Sequence, residues 1–164
     1  MNNIVLIGMP GAGKSTLGVV LAKILGYDFL DSDLLIQKKE RRRLSEIIDS
    51  EGVDGFLRIE NEVNAQIDVE GTVIATGGSA VYGEEAMDHL KASGKVIYLR
   101  LPCKEIAKRI GNLKGRGVAI AEGLSLENLY NERVPLYERY ADITVDCSGK
   151  SLEECTAAVL ERLK

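Results

Sequence analysis

The chain of 164 residues has no tryptophan and only 2 phenylalanines, 3 prolines, 3 cysteines and 1 histidine. Because aromatic residues make up 5% of the chain, the hydrophobic core has to be built from Leu, Ile, Val and Ala rather than from stacked rings. A lone histidine without Cys or Asp partners at ligand spacing argues against a zinc site and against a histidine-centred catalytic site. An odd number of cysteines without paired spacing predicts plain thiols and a cytoplasmic protein.

The sequence also lacks a basic surplus and a long apolar run. Its formal net charge is −4, whereas proteins that bind a nucleic-acid duplex usually carry an excess of Lys and Arg. No apolar stretch approaches the roughly 18 residues of a membrane-spanning helix, and the short apolar run at 4–7 predicts a strand rather than a signal peptide. We therefore expect a cytoplasmic monomer that binds a small molecule, with no nucleic-acid or membrane partner.

Length and composition predict a single domain over 1–164. The chain is 45% hydrophobic and 28% charged, which is typical of a globular protein. Short apolar runs alternate with amphipathic stretches, and this favours an α/β fold of three layers, with helices on both faces of a five-stranded parallel sheet. The predicted strands lie at 3–8, 27–30, 72–76, 95–101 and 143–146. The predicted helices lie at 13–25, 34–50, 54–69, 84–93, from 102 onward, 126–140 and 151–163.

A phosphate-binding loop follows the first predicted strand. Residues 8–15 match G-x-x-x-x-G-K-[ST] at every position, between a strand and a helix as the motif requires. Its glycines let backbone amides surround phosphate oxygens, and the helix N-terminus adds partial positive charge. Lys14 is predicted to reach the β- and γ-phosphates, and the Ser15 hydroxyl to bind Mg²⁺. The predicted nucleotide-binding residues of this segment are Gly11, Ala12, Gly13, Lys14, Ser15 and Thr16.

Two aspartates follow the second predicted strand, at the edge where open α/β sheets bind ligands. Asp31 and Asp33 are two residues apart, so their side chains point the same way if the chain stays extended. We predict that Asp31 lies in the Mg²⁺ shell through water, and that Asp33 accepts a hydrogen bond from a substrate hydroxyl and takes its proton. The alternative is that Asp33 only caps the helix that follows.

These residues resemble the shikimate kinase family, within the nucleoside-monophosphate-kinase-like group of P-loop enzymes. The resemblance runs across essentially the full chain, over the segments 8–16, 31–33, 56–60, 77–78, 116 and 129–142. It implies the P-loop kinase fold, ATP and Mg²⁺ as cofactors, and transfer of the γ-phosphate to a hydroxyl of shikimate.

The resemblance also implies roles on the acceptor side. Asp33 would hold two hydroxyls of shikimate and act as the base, and Gly77 and Gly78 would lie beside the same ligand. Arg133 would pair with the shikimate carboxylate, because a guanidinium offers that group a planar fork.

On the nucleotide side, the resemblance implies that Arg109 stacks on adenine. Arg116 would reach the transferred phosphate from a mobile lid over about 111–124, which excludes water on closing. The other interpretation of 111–124 is an ordinary surface loop. The predicted catalytic residues are therefore Lys14, Asp33 and Arg116.

Two positions depart from the family pattern. The substrate-binding helices, predicted over about 33–70, carry Phe-Arg-x-x-Glu in the family, whose Arg is a second clamp on the substrate carboxylate. Here Leu57 stands at the clamp position, and because one residue is a rotation of about 100° on a helix, Arg58 does not inherit the role by proximity. Ser79 stands where the family commonly has a third glycine, so it narrows the pocket or adds a hydroxyl contact.

These departures do not change the prediction of a kinase. They bear on which acceptor molecule is phosphorylated. The main hypothesis is an ATP-dependent shikimate kinase whose acceptor site contains Asp33, Leu57, Arg58, Gly77, Gly78, Ser79 and Arg133. One alternative is a kinase for another polyhydroxylated acceptor, such as a sugar acid or a polyol. Another is a nucleotide-binding module without turnover, which would have no need of the lid residue Arg116.

Overall fold

The computed structural model describes residues 2–110 and 125–164, and these ranges form a five-stranded sheet between helices. Every strand pairing in the sheet is parallel, and the strand order is β2-β3-β1-β4-β5. The strands are β1 Asn3–Ile7, β2 Asp28–Asp31, β3 Thr72–Ala75, β4 Gly94–Arg100 and β5 Ile143–Asp146. The helices are α1 Lys14–Leu25, α2 Ser32–Glu40, α3 Leu44–Ala65, α4 Glu84–Ser93, α5 Cys103–Arg109, α6 Leu126–Tyr140 and α7 Leu152–Leu163.

The sheet is the middle of three layers. Helices α1 and α7 contact each other over one side of it, while α4 and α6 both contact β4 and α3 packs against α4. Coverage of both faces explains why β1 is buried at every position, as the apolar run at 4–7 predicts for most of the strand. The predicted α/β class with a five-stranded parallel sheet is confirmed.

Most predicted elements are confirmed to within two residues, and the differences have local causes. The predicted helix at 34–50 is interrupted after α2, where Arg41 takes a left-handed conformation with φ of 56°. Helix α3 continues across a kink at Gly52, whose φ is 75°, and ends at Ala65, so the predicted end at 69 is wrong. A 3₁₀ turn over Ala80–Tyr82, which the hydrophobic pattern did not indicate, follows β3.

A small apolar cluster packs α2 against α3, separate from the larger core around the sheet. Its buried members are Ile36, Leu44, Ile47, Phe56 and Val63. The cluster fixes the two helices relative to each other, and so positions the polar residues that they carry toward the sheet.

The single domain over 1–164 stays a prediction. The lid over 111–124, with Arg116, lies outside the described residues. In the ranges that the structure covers, no helix has both the length and the apolar character needed to cross a bilayer.

Candidate active site

The phosphate-binding loop connects β1 to α1, and its glycines determine its shape. Gly11 and Gly13 have φ of 82° and 90°, a left-handed conformation that residues with a β-carbon rarely adopt. The amide of Ala12 donates a hydrogen bond of 3.1 Å to the carbonyl oxygen of Met9 and closes the turn. Helix α1 begins at Lys14, directly after Gly13, so the N-terminus of the helix faces the loop.

Lys14 folds back over this loop and is buried. Its Nζ donates hydrogen bonds to the carbonyl oxygens of Gly8, at 2.7 Å, and Met9, at 2.8 Å. Burial lowers the pKa of Lys14 to about 8, and the negative charge of Asp33 opposes that shift. An ammonium group held at the loop in this way can exchange its carbonyl partners for phosphate oxygens when a nucleotide binds.

Asp31 connects the nucleotide side to the acceptor side. Its Oδ2 accepts a hydrogen bond of 2.7 Å from the Ser15 hydroxyl, and its Oδ1 accepts from the amides of Asp33, at 2.9 Å, and Leu34, at 3.2 Å. Asp31 is therefore the N-cap of α2. The alternative that Asp33 caps this helix is wrong, because the chain leaves the extended conformation at Ser32 rather than after Asp33.

The Ser15 hydroxyl and the Asp31 carboxylate fit a magnesium ion. Mg²⁺ prefers oxygen ligands, and in nucleotide sites it is held by one or two protein groups, substrate phosphates and water. Residues 2–110 and 125–164 contain no cluster of three or more His, Cys, Asp or Glu side chains that could hold a metal ion. The protein would supply these two ligand groups, and the phosphates and water the rest.

One cavity of about 330 Å³ brings both sets of predicted residues together. Its lining consists of Pro10, Gly11, Gly13, Lys14, Ser15, Thr16, Asp33, Phe56, Thr76, Gly77, Gly78, Ser79 and Arg133. Ala12 is buried behind the loop and does not line the cavity. Arg109 lies beside the loop, where its Nη1 donates to the carbonyl oxygen of Gly11 at 3.3 Å.

The turn after β3 brings its backbone unusually close to three charged side chains. A β-carbon at position 77 would lie 2.5 Å from Oδ1 of Asp33 and 3.0 Å from Oε2 of Glu60. A β-carbon at position 78 would lie 2.6 Å from Cδ of Pro10 and 3.0 Å from Nη1 of Arg133. A side chain at position 77 or 78 would therefore displace these neighbours, and the two glycines let the backbone form a wall of the cavity beside them.

Among the residues described as lining the cavity, Asp33, in the first turn of α2, is the one that carries a carboxyl group. Burial, and secondarily the negative charge of Asp31, raise the pKa of Asp33 to about 6, while Lys14 opposes the shift. A carboxylate with this proton affinity remains ionised at neutral pH and accepts a proton more readily than an ordinary aspartate. These are the properties required of a general base.

Arg133 is fully buried on α6 and lies beside two tyrosines, Tyr82 and Tyr137, that the sequence reasoning missed. Its Nε donates to the Tyr82 hydroxyl at 3.4 Å, and its guanidinium carbon lies 5.4 Å from the centre of the Tyr82 ring. The Tyr137 hydroxyl donates a hydrogen bond of 2.6 Å to the carbonyl oxygen of Gly78. Tyr137 belongs to the family stretch at 129–142, which was a usable signal, whereas nothing in the sequence singled out Tyr82.

Glu60 on α3 is a further buried carboxyl group next to Gly77. Its Oε1 accepts a hydrogen bond of 2.6 Å from the Ser79 hydroxyl. Burial raises the pKa of Glu60 to about 8, and the Ser79 hydrogen bond works against that rise. In the sequence, Glu60 was used only to align residues 56–60 with the family motif. Its spacing of four residues from Phe56 nevertheless indicates that the two side chains lie on the same face of the helix.

Leu57 and Arg58 are not among the residues that line the cavity. Leu57 is partly buried and packs against the apolar cluster of α2 and α3, and Arg58 is exposed. Glu60 and Asn64, which follow Leu57 by three and seven residues on the same helix, are both buried.

The arrangement as a whole defines a class of protein. A parallel α/β sheet carries a phosphate-binding loop and a buried carboxyl group that line one cavity, and an oxygen pair suited to Mg²⁺ lies next to the loop. These are the parts of a P-loop kinase, which transfers phosphate mainly by positioning and charge stabilisation.

Comparisons with known proteins identify the family. The family model for shikimate kinase matches residues 10–164. The shikimate kinase of Thiobacillus denitrificans is 37% identical over 168 residues, covering 99% of this chain and 90% of the relative. That of Mannheimia succiniciproducens is 38% identical over 165 residues, covering 97% and 93%. The structure of the Acinetobacter baumannii enzyme with shikimate superposes with a TM-score of 0.91 at 32% identity, covering 99% and 93%.

The chain belongs to the shikimate kinase family. Enzymes of this family are phosphotransferases that act on a hydroxyl group and use ATP with Mg²⁺.

Proposed function

We propose that this chain phosphorylates a hydroxyl of shikimate with ATP, using the residues of the cavity described above. The observation that carries the proposal is the single cavity in which Lys14 of the phosphate loop, Asp33 and Arg133 meet. The family membership and a relative whose structure contains shikimate support the choice of acceptor.

At the nucleotide end, the loop amides and Lys14 hold the β- and γ-phosphates. Ser15 and Asp31 would hold Mg²⁺, which would supply positive charge to neutralise the phosphates when it is bound. Arg109, which contacts the loop at Gly11, is proposed to stack on the adenine of the nucleotide.

At the acceptor end, Arg133 binds the carboxylate of shikimate, and the backbone at Gly77 and Gly78 borders the ring. Asp33 orients the acceptor hydroxyl and takes its proton. The hydroxyl oxygen forms a bond to the γ-phosphorus while the bond from that phosphorus to the bridging oxygen breaks, which leaves ADP and shikimate phosphate. Arg116 of the lid is proposed to stabilise the charge on the phosphoryl group in transfer.

A second acceptor class has one observation in its favour. Leu57 supplies no guanidinium, and among the described lining residues Arg133 is the one arginine. A single guanidinium fits an acceptor with one carboxylate. It is also compatible with a sugar acid or a polyol whose binding depends less on a carboxylate.

The test is transfer to a panel of acceptors with purified protein, ATP and Mg²⁺. The panel contains shikimate, its alcohol analogue with a hydroxymethyl group in place of the carboxylate, a sugar acid and a polyol. ADP release and the ³¹P spectrum of the product are recorded. We expect the highest kcat/KM with shikimate. Preference for another acceptor would contradict the choice of shikimate, and no transfer to any would contradict the kinase function.

We also propose that the protein acts as a cytoplasmic monomer without a nucleic-acid partner. The net charge of −4 and the three free thiols support this proposal. Size-exclusion chromatography with light scattering should give a mass near 17.9 kDa.

A further inference from the structure

The acceptor turn, residues 77–79 after β3, contains two consecutive glycines. Neither Gly77 nor Gly78 has a β-carbon, so the peptide units of the turn rotate more freely than those of other residues. Contacts from other elements therefore have to fix the shape of the turn. One of them comes from α6, where the Tyr137 hydroxyl donates its 2.6 Å hydrogen bond to the carbonyl oxygen of Gly78.

Tyr137 is itself held firmly. It is fully buried, and its ring stacks on that of Tyr98 in β4 with 5.0 Å between the ring centres. Burial raises the pKa of Tyr137 above the ordinary 10, so the hydroxyl keeps its proton at neutral pH and acts as a donor. The other acceptor near this hydroxyl is Sδ of Met9, at 3.7 Å, and a thioether is a weak acceptor. The proton is therefore directed to the carbonyl oxygen of Gly78.

This hydrogen bond determines which way the peptide unit between Gly78 and Ser79 faces. Both residues line the cavity, whereas Tyr137 is not among the described lining residues. The carbonyl oxygen of Gly78 is therefore turned toward α6 rather than into the cavity. Because the peptide bond is trans, the amide of Ser79 points in the opposite direction.

The orientation of this peptide matters because it borders Arg133, which lies one turn before Tyr137 on α6. A β-carbon on Gly78 would be 3.0 Å from Nη1 of Arg133, so the peptide lies next to the guanidinium. Arg133 is the group proposed to bind the carboxylate of shikimate. A peptide rotated the other way would present its carbonyl oxygen beside that carboxylate, and the two would repel each other.

We propose that Tyr137 is a positioning residue for acceptor binding, whose hydroxyl holds the carbonyl oxygen of Gly78 away from the carboxylate that Arg133 binds. The proposal rests on the proposed function, since it requires an acceptor with a carboxylate at Arg133. Tyr137 acts through the backbone of the acceptor turn and does not touch the reacting atoms.

Tyr137→Phe tests this role, because it removes the hydroxyl and keeps the ring that stacks on Tyr98. The KM for shikimate should rise about three- to tenfold, the range expected for the loss of one neutral hydrogen bond. The kcat and the KM for ATP should change by less than about twofold, because Asp33 and the phosphate loop keep their contacts. The alcohol analogue has no carboxylate to be repelled. Its KM, or its KI if it binds without turnover, should change by less than about twofold.

Two other tyrosines provide matched controls. The Tyr130 hydroxyl, also on α6, donates 2.8 Å to the carbonyl oxygen of Leu101 outside the cavity lining. Tyr130→Phe should therefore lower the thermal unfolding temperature about as much as Tyr137→Phe, and leave the KM for shikimate unchanged. The hydroxyl of Tyr98, the stacking partner, is buried without a hydrogen-bond partner in the part of the chain that the structure describes. Tyr98→Phe should leave the KM unchanged as well.

The outcomes separate this role from the proposed function. If wild-type protein does not phosphorylate shikimate, both are overturned. If it does, and the KM for shikimate in Tyr137→Phe stays within twofold of wild type, the role of Tyr137 alone is overturned. An equal rise for the alcohol analogue would show general loosening of the turn and would also overturn the role. A rise in the KM for ATP alone would instead assign the hydroxyl to the phosphate loop through Met9.

Discussion

Ser15 and Asp31 are joined by a 2.7 Å hydrogen bond although they are 16 residues apart in the sequence. The contact ties the first turn of α1 to the end of β2. Asp31 also caps α2, the helix that carries Asp33 in its first turn. Two neighbouring carboxyl groups therefore lie in different surroundings, one at the predicted metal ligands and one in the acceptor cavity.

This division predicts different effects for two matched substitutions. Asp33→Asn should lower kcat at least about 100-fold, because it removes the proton acceptor, and should leave nucleotide affinity nearly unchanged. Asp31→Asn should weaken Mg²⁺-dependent nucleotide binding. Steady-state kinetics and calorimetric titration with MgATP measure both. Loss of nucleotide affinity in Asp33→Asn would place Asp33 in the metal site instead.

Lys14→Ala should abolish phosphoryl transfer and leave the fold intact. The ammonium group contacts two loop carbonyl oxygens rather than the apolar core, so its main partner in the reaction is the nucleotide. Turnover and the thermal unfolding curve are measured together. Lys23→Ala, an exposed lysine on the same helix, is the control and should behave as wild type. Turnover of Lys14→Ala within about tenfold of the control would rule out this role.

Leu57→Arg should lower the KM for shikimate by about tenfold, because a charged hydrogen bond to the carboxylate contributes roughly 1.5–3 kcal/mol. The same change should lower the free energy of unfolding by about 1–2 kcal/mol, since Leu57 packs against the apolar cluster of α2 and α3. Kinetics and urea unfolding measure the two effects. Arg58→Ala, at an exposed position, should change neither. An unchanged KM in Leu57→Arg would show that position 57 does not reach the acceptor.

The free energy of unfolding of Glu60→Gln, relative to that of wild type, should increase as the pH rises. The folded state holds the pKa of Glu60 at about 8, above the ordinary 4.5, so the folded protein keeps a proton that the unfolded chain has lost. Wild-type stability therefore falls between these two pKa values, by at most about 1.4 kcal/mol per pH unit. A glutamine does not titrate.

Urea unfolding at pH 5, 6.5 and 8 measures the difference between the two proteins. Glu62→Gln, at an exposed position two residues along α3, should show no such trend. A difference between Glu60→Gln and wild type that stays constant with pH would contradict the raised pKa.

By itself the sequence determined the fold class and the place of the phosphate-binding loop. The strands and helices follow from local apolar patterns, and the phosphate-binding loop is one continuous run between a strand and a helix, so neither needs long-range contacts to be identified. Family resemblance also indicated Asp33, Gly77, Gly78 and Arg133, which the structure places together in one cavity.

Only the tertiary structure decided how the acceptor end is assembled. Its residues come from α2, α3, the turn after β3 and α6, and their side chains meet through packing between elements that are distant in the sequence. Local patterns therefore did not reveal the hydrogen bond from Ser79 to Glu60, the support of Arg133 by Tyr82, or the apolar surroundings of Leu57. They also did not indicate that Asp31 caps α2, because the cap depends on the residue at which the chain turns from strand into helix.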